Sequence, residues 1–530
     1  MRLSFARGSV VAGMAFGLAA GISAVPAVLS AQPGGVSTGC SIDPNSPKEL
    51  ALMELKVQSA RSAKDSLARR ATLKDIIREL DTKPERFAKN MAGYHQRMAQ
   101  ALTLWGMEPG IGYSPTRGAL GFVTNPTETF DLLGKLDESF KGIVAAMPTC
   151  EGDVKALRQN ELWLAVTRRA LDASNSGQMD TADFYARKSL MLSTESPYPH
   201  YVLANAANAK KDRAAAMGHW KLVISVSGAD TSYRELKNSS LYLLSVNQLE
   251  AAEAAKGAEQ QSLAKDAAAT FRAVLAATPD NPDTPNIMQS WSDALKMAGD
   301  TAAIPSIYAE MLLNPAKGTD VSLTMAGVIA TRINRSDDAI KLFESAVAKN
   351  PNARDALRNL AATYYGKDQF LKMFAPAQKL VAIDPNNYDG WMMFAYAAQG
   401  LAKAVVVPTP KKGVVVSPAD RKTIDALSAE RKAWTDTLVK YQTYAEALPV
   451  KVEVTQFQRT SKDATLTLSF DQQLATDGTY SVTVEFVDAA GAVVGTSTQS
   501  VGPIKKGAPK SVAFKASATN VAGYRYKPLK

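Results

Sequence analysis

Three histidines, His95, His200 and His219, are the chain's whole supply of imidazole, the group that most metal centres and general bases draw on first. Ligands carried on one helix must stand about a turn apart with a further donor close behind. No two of these histidines have that spacing, and no carboxylate completes a zinc-protease arrangement. His200 and His219 stand beside Tyr201 and Trp220, which reads as the polar rim of a packed helix pair. Ser262-Leu263-Ala264-Lys265 has the nucleophile-to-lysine spacing of penicillin-binding enzymes, but it lies in an alanine-rich helical stretch without the companion motifs. Gly110 and Gly112 lack the strand-turn-helix setting and the third glycine of a nucleotide loop, and no phosphate or calcium loop is present. No residue is therefore assigned to catalysis, to a cofactor or to a metal.

The remaining reactive pair is Cys40 and Cys150, whose fate depends on the compartment. Arg2 and Arg7 precede an apolar run from Val10 to Ala31, and Ser30-Ala31 gives way to the breaker-rich Gln32-Pro33-Gly34-Gly35, as in a secretory signal peptide. Cleavage is expected after Ala31. An uncleaved anchor is the alternative, disfavoured by the glycines and Pro26 of the run. No twin-arginine pair is present, so export of an unfolded chain is expected, to a periplasmic, secreted or cell-surface location. There Cys40 and Cys150 are expected to pair, closing a loop that removes roughly 4–5 kcal/mol of unfolded-chain entropy. Two rivals stay open. Cys40 could carry a lipid, although Ser37 stands where an aliphatic residue is preferred and a polar stretch separates the cysteine from the apolar run; or both thiols could be free.

Composition bounds the rest. At 530 residues with 46% hydrophobic, 21% charged and 7% aromatic residues, the chain exceeds one ordinary core and suits alanine-rich helices packed closely. Its formal charge of +10 falls to +8 without Arg2 and Arg7. That balance admits peripheral contact with anionic envelope components. Nucleic acid is not expected as a partner without a basic helix or an aromatic stacking motif. No segment after the signal could span a bilayer.

The elements expected to position any site are mostly helical. Leu50, Met53, Leu55, Val57, Leu67, Leu73, Ile76, Ile77 and Leu80 recur near helical spacing, Pro84 marks a break, and Phe87, Met91, Tyr94, Met98, Leu102 and Trp105 continue in a second helix. Gly106 to Pro126 reads as a long connection lying over the helices, and a third helix is expected from Thr127 to Met147. Helical hairpins follow. Trp163 pairs with Ala182 and Ala186, and Leu203, Ala204 and Ala207 with Ala216 and Trp220. Leu243 is set near Ala267, Phe271 and Pro279, and a weaker unit, Ile287 to Pro315, carries Pro305 near the start of its second helix.

Two further units repeat after thirty-four positions. The first carries Leu323, Gly327, Ala339, Phe343, Ala346 and Pro351; the second carries Leu357, Leu360, Ala361, Tyr364, Leu380 and Pro385. Small residues fall where two helices must cross, and neither helix can bury its stripe alone, so copies must stack. A third copy opens with Trp391, Phe394, Ala395 and Ala398. It is interrupted by Val405-Val406-Val407 and Val414-Val415-Val416 around Pro408 to Gly413, expected as a β-hairpin insertion at 403–417. A last helix with Leu427, Trp434, Leu438, Tyr441 and Leu448 closes the array as a cap. From Val450 the period switches to two: Val452, Val454 and Phe457; Ala464, Leu466 and Leu468; Val482, Val484 and Phe486; Val512 and Phe514. Turns at Asp477-Gly478, Ala490-Gly491 and Lys506-Gly507 separate them, so six or seven short strands are expected in a small sandwich.

The thirty-four-residue units resemble the tetratricopeptide repeat (TPR). The tail, with its Asp488 to Gly491 turn, Val512-Ala513-Phe514 and Tyr524-Arg525-Tyr526, resembles the FxLyD-type immunoglobulin-like domain of bacterial envelope proteins. The expected fold is mainly α: a TPR-like superhelical solenoid at 155–448, a helical front domain at 32–154 and an all-β sandwich at 449–530, behind a signal at 1–31. The resemblance implies a non-enzymatic scaffold that binds a protein or peptide in the groove lined by the first helix of each hairpin. Matching groove positions are Tyr201, Asn205 and Asn208; Thr324 and Arg332; Arg358 and Tyr365; and Met392, Tyr396 and Gln399. The clamp for a free carboxylate terminus is not evident, since Ala362 stands where asparagine is expected. A surface-assembly component using the sandwich and the inserted hairpin is the second reading, and an enzyme acting on envelope polymers the third. Neither the partner's identity nor the oligomeric state follows from these residues.

Overall fold

The computed structural model describes residues 40–43, 47–279, 281, 283–409 and 417–530. The expected signal at 1–31 lies outside them, as does the second half of the expected hairpin insertion. Of that insertion, Lys403 and Ala404 end a helix, and residues 405–409 carry no regular secondary structure. The chain divides into two compact units, Met1–Ala255 and Lys256–Lys530.

In the first unit the front begins with α1 (Lys48–Ser62) and α2 (Ser66–Thr82), where the periodicity predicts one helix. The break is local. Asp65 accepts hydrogen bonds from the amides of Leu67 and Ala68 and starts a new helix between two apolar stripes that keep the same period. After a 3-10 turn at Pro84–Phe87 comes α3 (Met91–Gly106), and α4 (Leu132–Ala146) starts later than expected, capped by Asp131 on the amide of Gly134. The connection between α3 and α4 lies over the helices as expected: Tyr113, Leu120, Phe122 and Phe130 are buried in the front core. The Arg117 guanidinium sits 4.1 Å from the Phe122 ring centre. The Cys40–Cys150 disulfide is formed, pinning the described start of the chain to the entry of α5 (Glu151–Arg158).

Helical hairpins follow. α6 (Glu161–Asn175) pairs with α7 (Met179–Leu192), and α8 (Tyr198–Ala209) with α9 (Arg213–Ser227). Ala182 and Ala186 are fully buried at the first pairing; Ala204, Ala216 and Trp220 are fully buried at the second. α10 (Arg234–Ala254) packs on α9. The third expected hairpin therefore divides, since Leu243 belongs to α10 while Ala267 and Phe271 belong to α11 (Gly257–Ala277) of the second unit, which packs on α12 (Thr284–Met297).

In the second unit the weak repeat departs from expectation. Pro305 lies inside a 3-10 helix, Thr301–Ile307, followed by a five-residue α13 (Ala309–Leu313). Thr301 to Ile304 already precede Pro305 in the helical turns, so it falls past the first turn, where its missing amide hydrogen and its ring disfavour a regular α-helix. Regularity then sets in: α14 (Asp320–Arg332), α15 (Ser336–Lys349), α16 (Arg354–Gly366), α17 (Phe374–Ile383) and α18 (Tyr388–Ala404) form TPR-type hairpins, with first helices that begin thirty-four residues apart. Gly327 of α14 is the crossing point. A Cβ built there would stand 2.5 Å from the Phe343 ring, which α15 buries completely. α19 (Pro418–Glu446) caps the row on α18 through Phe394 and Tyr441, whose rings stack at 4.5 Å, while Lys432 and Asp436 pair on its exposed side.

The tail is a sandwich of two antiparallel three-stranded sheets, β1 (Val450–Arg459), β2 (Asp463–Gln472) and β5 (Lys510–Ser517) in the order β1-β2-β5, and β3 (Gly478–Val487), β4 (Val493–Ile504) and β6 (Gly523–Tyr526) in the order β4-β3-β6. Inward alternation is clean in β2 and β3. β4 escapes a period-two reading because Thr496, Ser497, Thr498, Gln499 and Ser500 put polar groups on both faces. Gln499 donates to the Ala513 carbonyl at 2.7 Å, joining β4 to β5 across the two sheets.

A Gly327→Ala substitution gains about 1 kcal/mol of helix propensity, yet it forces a methyl group against the buried Phe343 ring. Urea unfolding is expected to show a net destabilisation of about 1 kcal/mol or more.

Candidate partner-binding face

First helices α16 and α18 lie side by side, and their polar residues meet. Arg358 Nη2 donates to Asp389 Oδ2 at 3.1 Å, with both side chains more than a third exposed. One turn and three further residues along α16, Tyr365 approaches Tyr396 of α18 with ring centres 6.0 Å apart, and Phe370 stands edge-on to Tyr365 at 5.8 Å. Burial raises the Tyr396 phenol above its usual pKa, and Tyr388, Asp389 and Tyr365 add to the shift. Tyr396 is therefore a neutral hydroxyl at physiological pH, able both to donate and to accept. Met392 and Gln399, half-buried, lie on the same helix. The result is a stripe bearing a cation, an anion, two phenols and an amide.

Elsewhere the expected positions fare differently. Arg332, exposed at the end of α14, donates to Gln289 of α12, linking those two first helices. Thr324 is turned inward on its own helix: its hydroxyl donates to the Asp320 carbonyl at 2.6 Å and is committed there as a donor. Tyr201 corrects the expectation most clearly, being 7% exposed and packed with Ala170, Ala182, Val202 and Leu203 in a core rather than on an open face. Asn205 is half-buried and Asn208 exposed, both in the first unit. Asp389 and Gln289, the partners of Arg358 and Arg332, carry no sequence signal, because a single polar residue on a helix names no counterpart.

The ends of the same hairpins hold the sandwich. Asn386 donates to the carbonyls of Val450 and Leu529, both at 3.2 Å, and accepts from the Leu529 amide at 2.8 Å. Its own carbonyl accepts from the Val452 amide at 3.0 Å. Asn387 donates to Val452 and caps α18 through the amide of Gly390. Asn350 donates to the Ala522 carbonyl, and Asn352 to that of Asp488. Arg459 of β1 grips Asp320 of α14 with two bonds of 2.8 Å. Asparagines thus supply the partners that a neighbouring strand would give to edge β1, and they hold the segments on either side of β6 at Ala522 and Leu529. Beneath them Asp384, with no exposed surface, takes the Arg354 guanidinium at 3.0 Å and the Tyr526 hydroxyl. The sequence shows these loops only as helix stops, Asn-Pro-Asn at 350–352 and Asp-Pro-Asn-Asn at 384–387.

Among the described residues no helix is long and apolar enough to cross a membrane. No protein-family model matches the chain, and no curated protein matches it. Solved structures similar to it include that of PilF from Pseudomonas aeruginosa, at 13% identity over 53% of this chain and 96% of the other, with a TM-score of 0.20. The apo form of RapI is 9% identical over 75% of this chain and 95% of its own, with a TM-score of 0.23. The TPR domain of P58(IPK) is 13% identical over 60% and 98%, with a TM-score of 0.17.

Replacing Asn386 by alanine strips partners from two carbonyls and an amide in a buried seam, a loss of about 2–4 kcal/mol. Limited proteolysis is expected to cut the variant at residues 447–449, before β1, much faster than the wild type.

Proposed function

We propose that the chain is an exported, non-enzymatic adaptor that binds an extended peptide segment of a partner protein along the α16–α18 face. The observation that carries this reading is the pairing of Arg358 with Asp389 and of Tyr365 with Tyr396 across two neighbouring first helices. Such a stripe offers hydrogen-bond partners for a peptide backbone, aromatic surface for its side chains and a guanidinium for a carboxylate. The exposed Arg358–Asp389 pair contributes about 0–1 kcal/mol, so a partner's carboxylate can compete for Arg358 at little cost. Thr324, bonded to its own helix, and Tyr201, buried in a core, drop out of the proposed contact set; Arg332, Met392 and Gln399 remain in it.

Export is supported by the Arg2, Arg7 and Val10 to Ala31 pattern together with the Cys40–Cys150 disulfide, which persists in oxidising compartments. A location in the cell envelope also suits the tail's resemblance to an FxLyD-type domain. The rival reading, assembly of copies through the sandwich, is weakened by the asparagines that already occupy edge β1.

The test is capture of an envelope protein by in vivo cross-linking to the mature chain, followed by affinity measurement with the purified partner. Arg358→Glu and Tyr396→Ala are each expected to weaken binding about tenfold or more, roughly 1.4 kcal/mol. Unchanged affinity in both variants would place the partner on another surface.

A further inference from the structure

His200 of α8 and His219 of α9 are brought together by their hairpin, with Nδ1 atoms 3.3 Å apart. The ring planes incline by 26° and the centroids are 5.5 Å apart. A centroid separation that exceeds the nitrogen separation by about two ring radii means that the imidazoles meet edge to edge, Nδ1 facing Nδ1, rather than face to face. Both are half-buried. The fully buried Trp220 follows His219 directly and sets the depth of that part of α9, while Tyr201, in the core, follows His200. Two of the three histidines in the chain thus converge on one point.

Zinc-type ions bind imidazole nitrogen at about 2.0–2.1 Å, so a tetrahedral centre joins two such nitrogens across about 3.3–3.4 Å. The observed separation already matches that bite. Torsional adjustment of both rings would bring the two lone pairs to a common ion, and a histidine ring has a broad torsional range. On the neighbouring α7, Asp183 and Arg187 are the charged groups that act on His219. Asp183 is held by Arg187 through two bonds of 2.8 and 3.0 Å, so it offsets the guanidinium charge beside the site and is not free to ligate. Among the described residues no group of three metal-ligating side chains gathers anywhere, which excludes a closed structural centre here.

We propose that the α8–α9 hairpin carries an exchangeable site for one divalent d-block cation, with Nδ1 of His200 and Nδ1 of His219 as its two protein ligands and water completing the shell. Imidazole selects Cu(II), Ni(II) and Zn(II) over the hard, oxygen-seeking Mg(II) and Ca(II). Two ligands and an open shell make the site weak and fast, suited to sensing or passing on a metal rather than to holding up the fold. Because it belongs to the first unit and uses none of the α16–α18 residues, it stands or falls separately from peptide binding.

The full-length mature chain, freed of any histidine tag, tests this by metal titration at pH 7.5. Cu(II) near a hundredfold above its Kd is expected to raise the thermal midpoint by about 5 °C and to give the visible and paramagnetic-resonance signature of two nitrogen ligands. Ni(II) and Zn(II) should bind more weakly, in the usual order, and Mg(II) and Ca(II) not at all. His200→Gln and His219→Gln should each lower Cu(II) affinity at least tenfold, whereas His95→Gln should leave it unchanged. The spectroscopic titration reads binding even where a variant is less stable. Absence of the Cu(II) signature in the wild type, or its retention in either glutamine variant within twofold of wild-type affinity, overturns the proposal.

Discussion

A single carboxylate with no access to water organises the C-terminal part of this chain. Asp384 sits in the loop between α17 and α18, and a charge taken out of water is tolerated only when paired and hydrogen-bonded. It receives Arg354 from the start of α16 and Tyr526 from β6, so one side chain ties two hairpins to the sandwich. Burial pushes its carboxyl above the usual range against the pull of Arg354 and Tyr526. Burial, and then Asp384 itself, hold the Tyr526 phenol far above its ordinary pKa and keep it a donor. Removing Arg354 or Asp384 alone would leave the other's charge unmatched, which is the expensive way to break a buried pair. Leu357 and Ile383 join the sandwich core around this network, so the tail is an integrated part of the second unit.

That arrangement divides the labour of each hairpin. Its crossing point, Gly327 against Phe343, sets how closely the helices approach and is fixed by size alone. Its closing loop, with asparagines at 350, 352, 386 and 387, is occupied by the sandwich. Its first helix is left with a polar stripe that satisfies itself across neighbours through partly exposed contacts. An ion pair and a tilted aromatic pair of this kind hold side chains in place without committing much energy to them, which suits a surface that exchanges partners.

The repeating part was legible because helix crossing imposes a spacing of small and large residues that recurs after thirty-four positions. Leu323, Gly327 and Phe343 show it, as do Leu357, Ala361 and Leu380. The period-two alternation of β1, β2, β3 and β5 was legible for the same kind of reason. β4 was hidden by its threonines and serines, and the split between α1 and α2 by a cap, Asp65, that leaves the apolar period undisturbed. The sequence sets Pro305 near the start of a helix, but the chain answers it with a 3-10 helix. Among the site residues, the repeat resemblance sets Arg358, Tyr365, Met392, Tyr396 and Gln399 on first helices, where α16 and α18 carry them, and fails for Tyr201, because matching one repeat does not show how much a neighbouring hairpin covers. The seam with the sandwich was invisible: Pro351 and Pro385 stop helices in any repeat of this kind, and only the folded chain shows what the adjoining asparagines touch.

If the hairpin loops are filled and the first-helix face is free, contact with a partner must be confined to one side of the array. A photoreactive residue in place of Met392 on α18, compared with one in place of the exposed Lys379 on α17, reads this directly in intact cells. An adduct to another envelope protein from position 392 and none from position 379 is the expected result. Adducts from 379 alone, or from both positions equally, would contradict it.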